Sequence, residues 1–328
     1  MAFTDSPATR PTGSSSSGTS SSGTSSSVTT SDAVSGDAPI RRSVRTVVPS
    51  IETLEGAGFI VHRPFPVGDL DQVDPFLLLD HMGPVDYAPG EAVGAPDHPH
   101  RGFETVSYIL EGELEHEDSV GHHGVIGPGD VQWMTAGSGV VHSEMPSRRM
   151  QTEGGRVEGF QIWVNLPADR KMTDPRYQEV PKARIPQVEL DDGRAVVRLI
   201  AGRAHGVEGA VETTSPILYA HATVQPGGRA DLPAAAGMNA MVYVIHGSGS
   251  VGVDDRPVRQ HELAVLEHDG DAVHLVAGDD EPFDVLVLAG EPLREPIARY
   301  GPFVMNTRQQ IVDAFEDYQA GRLGSITR

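Results

Sequence analysis

Two short pairs of potential metal ligands stand out in the sequence. His98 and His100 are separated by one residue, and so are His142 and Glu144. In an extended strand, residues i and i+2 point to the same face, so each pair projects two donor groups together. Imidazoles with one carboxylate suit divalent Fe, Mn, Co, Ni, Cu or Zn. We therefore expect the two pairs to face each other across a barrel interior and to hold one divalent transition metal.

A second glutamate competes for the carboxylate position. Glu104 shares strand parity with His98 and His100 if Gly102 makes no bulge. The spacing alone does not choose between Glu104 and Glu144. With either glutamate, a six-coordinate ion keeps open positions for water, dioxygen or an oxygen-bearing substrate, as a metal-assisted oxidation requires.

The alternative interpretation of these residues is a hydrogen-bonded polar cluster inside an empty barrel. We favour the metal site, because burying three histidines and a glutamate without an ion leaves costly unmet polar groups. Four large side chains either line a substrate pocket over the metal or belong to the core: Phe103, Tyr108, Trp133 and Met134. We interpret the unpaired histidines as surface or satisfied core residues: His62, His81, His116, His122, His123, His205, His221, His246, His261 and His268.

The elements that must position these ligands are short strands. From Arg41 to about Pro292, apolar runs with strict alternation are separated by Gly, Pro, Asp and Asn, which predicts an all-β sandwich or barrel. The text at 105–114 is echoed at 240–249, and that at 129–142 is echoed at 261–274. Two copies of one β unit, in tandem, are therefore predicted.

Composition divides the chain further. The Ser-, Gly- and Thr-rich start predicts a disordered tail, either plainly solvated or serving as a phosphorylated or partner-binding arm. A capping box at Thr307 and Gln310 predicts one helix near the end. The expected parts are a tail at 1–40, a metal-binding barrel at 41–170, a linker at 171–195, a second barrel at 196–304, and a helix with its tail at 305–328.

Bulk charge and composition exclude several classes of function. A formal net charge of -21 opposes direct binding to nucleic acid. The absence of cysteine excludes disulfides, thiolate metal sites and cysteine nucleophiles. No long apolar run or signal-like start is present, so we expect no membrane contact and a cytoplasmic location.

Three blocks of sequence resemble the signature text of the pirins, a bicupin branch of the cupin superfamily. The similarity runs roughly from Val44 to Asn306, and the blocks are "DHPHRGFETVSYILEGELEHEDSVGHHG", "GPGDVQWMTAGSGVVHSEMP" and "QIWVNLP". The resemblance implies two tandem cupin barrels of the double-stranded β-helix, or jelly-roll, type, with a short C-terminal helix.

Carried over residue by residue, the resemblance implies that His98, His100, His142 and Glu144 bind a single metal, most often Fe(II), with Mn, Co, Ni, Cu and Zn as alternatives. It thus favours Glu144 over Glu104 as the ligand. Glu104 then remains a residue that could orient a ligand histidine or accept a proton.

The resemblance also implies that the second barrel carries no metal. Aligning the two copies on Tyr108 and Tyr243 places Pro233 and Ala235 where His98 and His100 stand, which leaves His274 without partner ligands. We expect this barrel to support the first one or to offer a docking surface.

Two functions are compatible with the resemblance. The first is a metal dioxygenase of the quercetin 2,3-dioxygenase type, acting on a flavonol and dioxygen, with Glu104 or Glu144 taking the hydroxyl proton. The second is a non-enzymatic, metal-dependent regulator that binds a transcription factor or a metabolic enzyme. Fold and metal do not decide between them. We expect a monomer in either case.

Overall fold

The chain folds into two β-sandwiches of the same design. The structure, a computed structural model, describes residues 38–328, so the predicted tail lies almost wholly outside the described residues. The helices are α1 (Arg148–Glu153) and α2 (Arg308–Gln319), with short 3-10 turns at Lys182–Arg184 and Asp191–Gly193. The strands are β1 (Val44–Pro49), β2 (Ile51–Glu55), β3 (Phe59–Phe65), β4 (Phe76–Tyr87), β5 (Ala95–His100), β6 (Phe103–Glu111), β7 (Leu114–Asp118), β8 (His123–Ile126), β9 (Val131–Thr135), β10 (Val140–Pro146), β11 (Gly155–Asn165), β12 (Arg176–Val180), β13 (Gln187–Leu190), β14 (Ala195–Ala201), β15 (Arg203–Ala204), β16 (Val207–Glu208), β17 (Ile217–Val224), β18 (Arg229–Pro233), β19 (Asn239–His246), β20 (Ser248–Val251), β21 (Arg256–Arg259), β22 (Glu262–Leu266), β23 (Ala272–Ala277), β24 (Phe283–Gly290), β25 (Ala298–Tyr300) and β26 (Phe303–Met305).

Each sandwich has one large and one small antiparallel sheet. In the N-terminal barrel, the seven-stranded sheet β12-β9-β6-β11-β4-β3-β2 is accompanied by the four-stranded sheet β5-β10-β7-β8. In the C-terminal barrel, the seven-stranded sheet β1-β22-β19-β24-β17-β14-β13 is accompanied by the four-stranded sheet β18-β23-β20-β21. The predicted all-β class with two tandem barrels and a C-terminal helix is confirmed, and no helix in residues 38–328 is long and apolar enough to cross a membrane.

The first strand belongs to the C-terminal barrel and not to the N-terminal barrel that directly follows it in sequence. We expected residues 41–170 to form the N-terminal barrel, but β1 pairs antiparallel with β22, where Val47 lies opposite Ala264. The expected linker at 171–195 also contains strands, since β12 joins β9 and β13 joins β14. Apolar alternation predicts that a strand has a buried face, but it does not say which sheet edge the strand will extend.

The end of the chain returns to the N-terminal barrel. In the β25-β26 hairpin, the Val304 N–H donates to the Arg101 carbonyl at 3.1 Å. The buried Lys171 ammonium donates to the carbonyls of Gly102 at 2.7 Å and Val304 at 3.1 Å. Helix α2 follows, and Asp317 forms an ion pair with Arg101 at 2.8 Å. The C-terminal segment therefore forms part of the wall around the first barrel.

The two large sheets bury their outer faces against each other. One apolar cluster combines residues of both sheets, among them Tyr108 and Trp133 from the N-terminal barrel and Tyr219 from the C-terminal barrel. Phe103, Tyr108, Trp133 and Met134 are each at most 2% exposed. All four are core residues, so the interpretation of these side chains as pocket walls is wrong.

A polar cluster interrupts this apolar interface. Glu158 of the N-terminal barrel accepts from His81 and, across the interface, from His246, at 3.0 Å each. The rings of His62 and His261 stack at 3.8 Å between their centroids. Burial, and then the neighbouring His62 and His81, lowers the pKa of His261 from 6.5 to about 4. His261 is therefore held neutral in the folded protein at neutral pH.

The free energy of unfolding should fall as the solution is acidified from pH 7 to pH 5. Between about 4 and 6.5 the unfolded His261 binds a proton that the folded protein excludes, so acid favours unfolding. His261→Asn removes this titration and suits the positive φ of 62° at that position. We expect the fall in Tm between pH 7 and pH 5 to be smaller in this variant.

The control is His205→Asn, because His205 is exposed and has a similar φ of 49°. Its Tm should follow that of the wild type at both pH values. Equal losses of Tm on acidification in all three proteins would contradict a role for His261.

Candidate metal centre

The four predicted ligands lie on two neighbouring strands of the small sheet. Strand β5 carries His98 and His100, and β10 carries His142 and Glu144. The strands pair antiparallel, with His98 directly opposite His142 and a register shift before Glu144. The pairs thus lie side by side on one sheet, and the expectation that they face each other across the barrel is wrong. Adjacent antiparallel strands bring opposite side chains within about 5 Å.

The three imidazole rings converge on one point. Their centroids are 4.7 Å apart for His98 and His100, 4.3 Å for His98 and His142, and 4.9 Å for His100 and His142. One ring nitrogen from each lies within 4.8 Å of the other two. His142 is fully buried and His98 is half-buried, so the group lies at the boundary between the barrel interior and a cavity.

The hydrogen bonds of His98 and His100 indicate where their lone pairs point. The Nδ1 of His98 donates to the carbonyl of Pro96 at 2.7 Å, and the Nδ1 of His100 donates to the carbonyl of Pro302 at 3.2 Å. Because a carbonyl can only accept, Nδ1 carries the proton and, in a neutral ring, Nε2 carries a lone pair. The two Nε2 atoms are 3.0 Å apart. Two lone pairs facing each other at this distance fit a shared cation.

The buried ring nitrogens of His142 also indicate a metal site. Neither of its ring nitrogens has a hydrogen-bond partner within the described part of the chain, although both are buried. Burial, followed by the neighbouring His100 and His98, lowers its pKa well below 6.5, so the ring is neutral. A buried polar atom without a partner is costly, and a metal ion would supply one. The donor set and its geometry therefore fit a divalent metal.

Glu144 is held in place by three uncharged donors. Its Oε1 accepts from Ser107 at 2.5 Å and from Gln132 at 3.1 Å, and its Oε2 accepts from Gln161 at 2.8 Å. These donors come from β6, β9 and β11 of the large sheet. The Glu144 side chain therefore reaches across the barrel interior from the small sheet. Such contacts orient a carboxylate and leave one lone pair, on Oε2, for an ion.

His116 is a satisfied core residue, as expected, but its proximity to this site was not predicted. His116 lies opposite Glu144 in the pairing of β7 with β10, and it forms a second group of close donor atoms with His142 and Glu144. Unlike the three converging rings, His116 has partners for both nitrogens, Gln132 at 3.1 Å and Asp118 at 3.4 Å. No signal in the sequence gives the register of β7, so this proximity was not predictable.

Glu104 lies on the wrong face of its strand for the predicted role. Gly102 has a positive φ of 88° between β5 and β6, and this break changes the parity that the expectation assumed. The Glu104 carboxylate accepts from Thr135 at 2.7 Å and from Thr214 at 2.9 Å, whereas Ser107 of the same strand reaches Glu144. Glu104 is therefore not placed to orient a ligand histidine or to accept a substrate proton.

A cavity of about 600 Å³ opens onto the converging histidines. This volume suits a small organic ligand. The indole ring of Trp163 stands 5.2 Å from the ring of His100, at a steep angle to it. The lining combines apolar side chains with a few polar ones, including His98, His100, Glu144, Gln161, Trp163 and Arg299.

Metal binding by single variants should show which of the two overlapping donor groups holds the ion. His98→Ala and His142→Ala should each lose near-stoichiometric metal, since they remove a ring nitrogen without another partner. His116→Ala should keep the stoichiometry and weaken affinity by about tenfold, because it acts through the groups around Glu144. Elemental analysis and calorimetric titration of untagged protein measure both quantities. Loss of the metal in His116→Ala with retention in His98→Ala would show that the ion is held instead by His116, His142 and Glu144.

Comparison with known proteins agrees with the fold. Residues 58–164 match the family described as "Pirin", and residues 219–324 match "Pirin C-terminal cupin domain". A Pseudomonas aeruginosa protein named "Putative quercetin 2,3-dioxygenase" is 45% identical over 269 residues, which cover 81% of this chain and 93% of that protein. Human pirin is 41% identical over 286 residues, which cover 86% of this chain and 94% of human pirin. The crystal structure of a quercetin 2,3-dioxygenase from Acinetobacter baumannii superimposes with a TM-score of 0.82 at 39% identity, covering 88% of this chain and 100% of that one. The expected resemblance and the bicupin fold are confirmed, and the chain belongs to the pirin family.

Proposed function

We propose that this protein is a mononuclear metal dioxygenase that acts on flavonols or similar aromatic enols. The observation that carries the proposal is the convergence of three imidazole rings, two of which, those of His98 and His100, line a cavity of about 600 Å³. A regulatory metal site needs no such space, whereas an organic substrate does. The names of the Pseudomonas and Acinetobacter relatives support the same reaction.

The proposed ligands are His98, His100, His142 and Glu144. Three neutral imidazoles and one carboxylate suit a divalent first-row metal, and we propose Fe(II), with Mn, Co, Ni, Cu and Zn as alternatives. When bound, such an ion supplies Lewis acidity toward oxygen donors and redox chemistry with dioxygen. The chain itself would orient the substrate, surround it with a mainly apolar cavity wall and supply a proton acceptor.

Glu144 is the candidate proton acceptor. Its Oε2 has one donor, Gln161, and the carboxylate lines the cavity, so the one remaining lone pair would serve the ion and the proton of a substrate hydroxyl in turn. Trp163 lines the cavity beside His100, where its indole ring would contact an aromatic substrate. We therefore assign binding and orientation to the cavity wall and proton transfer to Glu144.

The first test is oxygen uptake by metal-loaded, untagged protein with quercetin. The wild type should consume oxygen and bleach the flavonol, and His142→Ala should do neither, because it removes a proposed ligand. His123→Ala is the matched control, since His123 is exposed on β8 of the same small sheet. Unchanged turnover in His142→Ala would rule out the mechanism. Bound metal without oxygen uptake would favour the regulatory alternative.

A pair of isosteric changes tests the assignment of the glutamates. Glu144→Gln should lose most of the oxygen uptake, because an amide is a poor metal ligand and a poor base. Glu104→Gln should retain most of it and change the free energy of unfolding by about 1 kcal/mol or less, because its amide oxygen can still accept from Thr135 and Thr214. Equal losses in both variants would contradict the separation of the two faces of β6.

A further inference from the structure

The cavity over the candidate metal centre contains two guanidinium groups in different electrostatic situations. Arg63 is neutralised, since its Nε donates to Asp80 at 2.7 Å and its Nη2 contacts both Asp80 and Glu55. Arg299 has no carboxylate within 4.0 Å in residues 38–328; its Nη1 donates to the carbonyl of Leu77 at 3.0 Å. One of the two cations in the wall therefore makes no direct ion pair, although Asp71, Asp80 and Glu55 act on it from a greater distance.

The acidic side chains of the same wall form no direct ion pair with Arg299. Each already has a partner among the residues that the structure describes. The pairs are Glu55 and Asp80 with Arg63, Asp97 with Arg328, Glu111 with Arg156, Glu113 with Arg149, and Glu144 with its amide and hydroxyl donors. None of these carboxylates is thus the direct partner of Arg299, which stands in the wall without an ion pair of its own.

Arg299 is also fixed relative to the proposed metal ligands. Its guanidinium carbon lies 5.2 Å from the centre of the Trp163 ring, and that ring is 5.2 Å from the ring of His100. Three residues further along, the carbonyl of Pro302 accepts from the Nδ1 of His100. The segment that orients a ligand histidine therefore also carries the unpaired cation. Burial lowers the pKa of Arg299, as expected for a cation that lacks full compensation.

We propose that Arg299 determines substrate specificity by binding a carboxylate on an aromatic substrate whose hydroxyl groups point to the metal centre. The inference rests on the proposed function and narrows it to aromatic acids. A guanidinium presents planar, paired donors that match a carboxylate, and a partly dry site strengthens the contact. The substrate ring would then lie along Trp163, between Arg299 and His100.

The test measures binding rather than turnover, so that it is separate from the test of catalysis. Metal-loaded protein is titrated with 3,4-dihydroxybenzoate and with its uncharged analogue 3,4-dihydroxybenzamide. Calorimetry gives the affinities, and fluorescence reports contact with Trp163, since the other tryptophan, Trp133, is 1% exposed in the core. The wild type should bind the acid about tenfold more tightly than the amide.

Variants at Arg299 identify the source of the preference. Arg299→Gln should lose the preference through weaker binding of the acid, with the amide unchanged, and Arg299→Lys should keep part of it. Arg203→Gln removes the same charge from an exposed pair with Glu208 in the C-terminal barrel and should keep the full preference. Metal content, measured for each variant, verifies that the ligand set is intact.

The outcomes separate this inference from the proposed function. The assignment of Arg299 would be overturned if the preference for the acid persisted in Arg299→Gln. It would also be overturned if the wild type bound the acid no better than the amide, or bound neither compound. The wild-type oxygen uptake with quercetin is unaffected by that result. Conversely, a preference lost in Arg299→Gln without any oxygen uptake would support the anion site in a protein that is not a dioxygenase.

Discussion

The antiparallel pairing of β5 with β10 is the interaction on which the site depends. Its register places His98 opposite His142, so two imidazoles meet without any further positioning device. Backbone carbonyls then fix the proton of His98 and His100 on Nδ1 and leave both Nε2 atoms facing each other. Burial keeps the His100 and His142 rings neutral. The same desolvation that makes unpartnered nitrogens costly makes them ready ligands for a cation.

The N-terminal barrel does not complete this site by itself. The carbonyl that orients His100 belongs to Pro302, near the other end of the chain. This returning segment is anchored by the buried Lys171, whose ammonium binds the carbonyl of Val304. At the other end, β1 extends a sheet of the C-terminal barrel. Each barrel is therefore completed by a segment that is adjacent in sequence to the other barrel: β1 completes the C-terminal barrel, and the returning segment completes the N-terminal one. This exchange couples the site to the folding of the whole described chain.

The sequence was most informative where a local rule decided the structure. The period of two in a strand predicted that His98 and His100 share a face, and the repeated alternation predicted two barrels. The parity of Glu104 failed because the positive φ at Gly102 interrupts the strand. His116 and Arg299 could not be found, since both reach the site through strand register and chain return over long sequence separations. Local periodicity contains neither kind of information.

The net charge of -21 and the unpaired Arg299 act over different distances. At physiological ionic strength, charges on the surface are screened beyond about 8 Å, so the acidic exterior does little inside the cavity. There each carboxylate contacts an arginine or neutral donors, and Arg299 is the arginine of the wall that makes no direct ion pair. An acidic protein can in this way present an arginine to a ligand, because the neighbouring carboxylates are engaged by other donors.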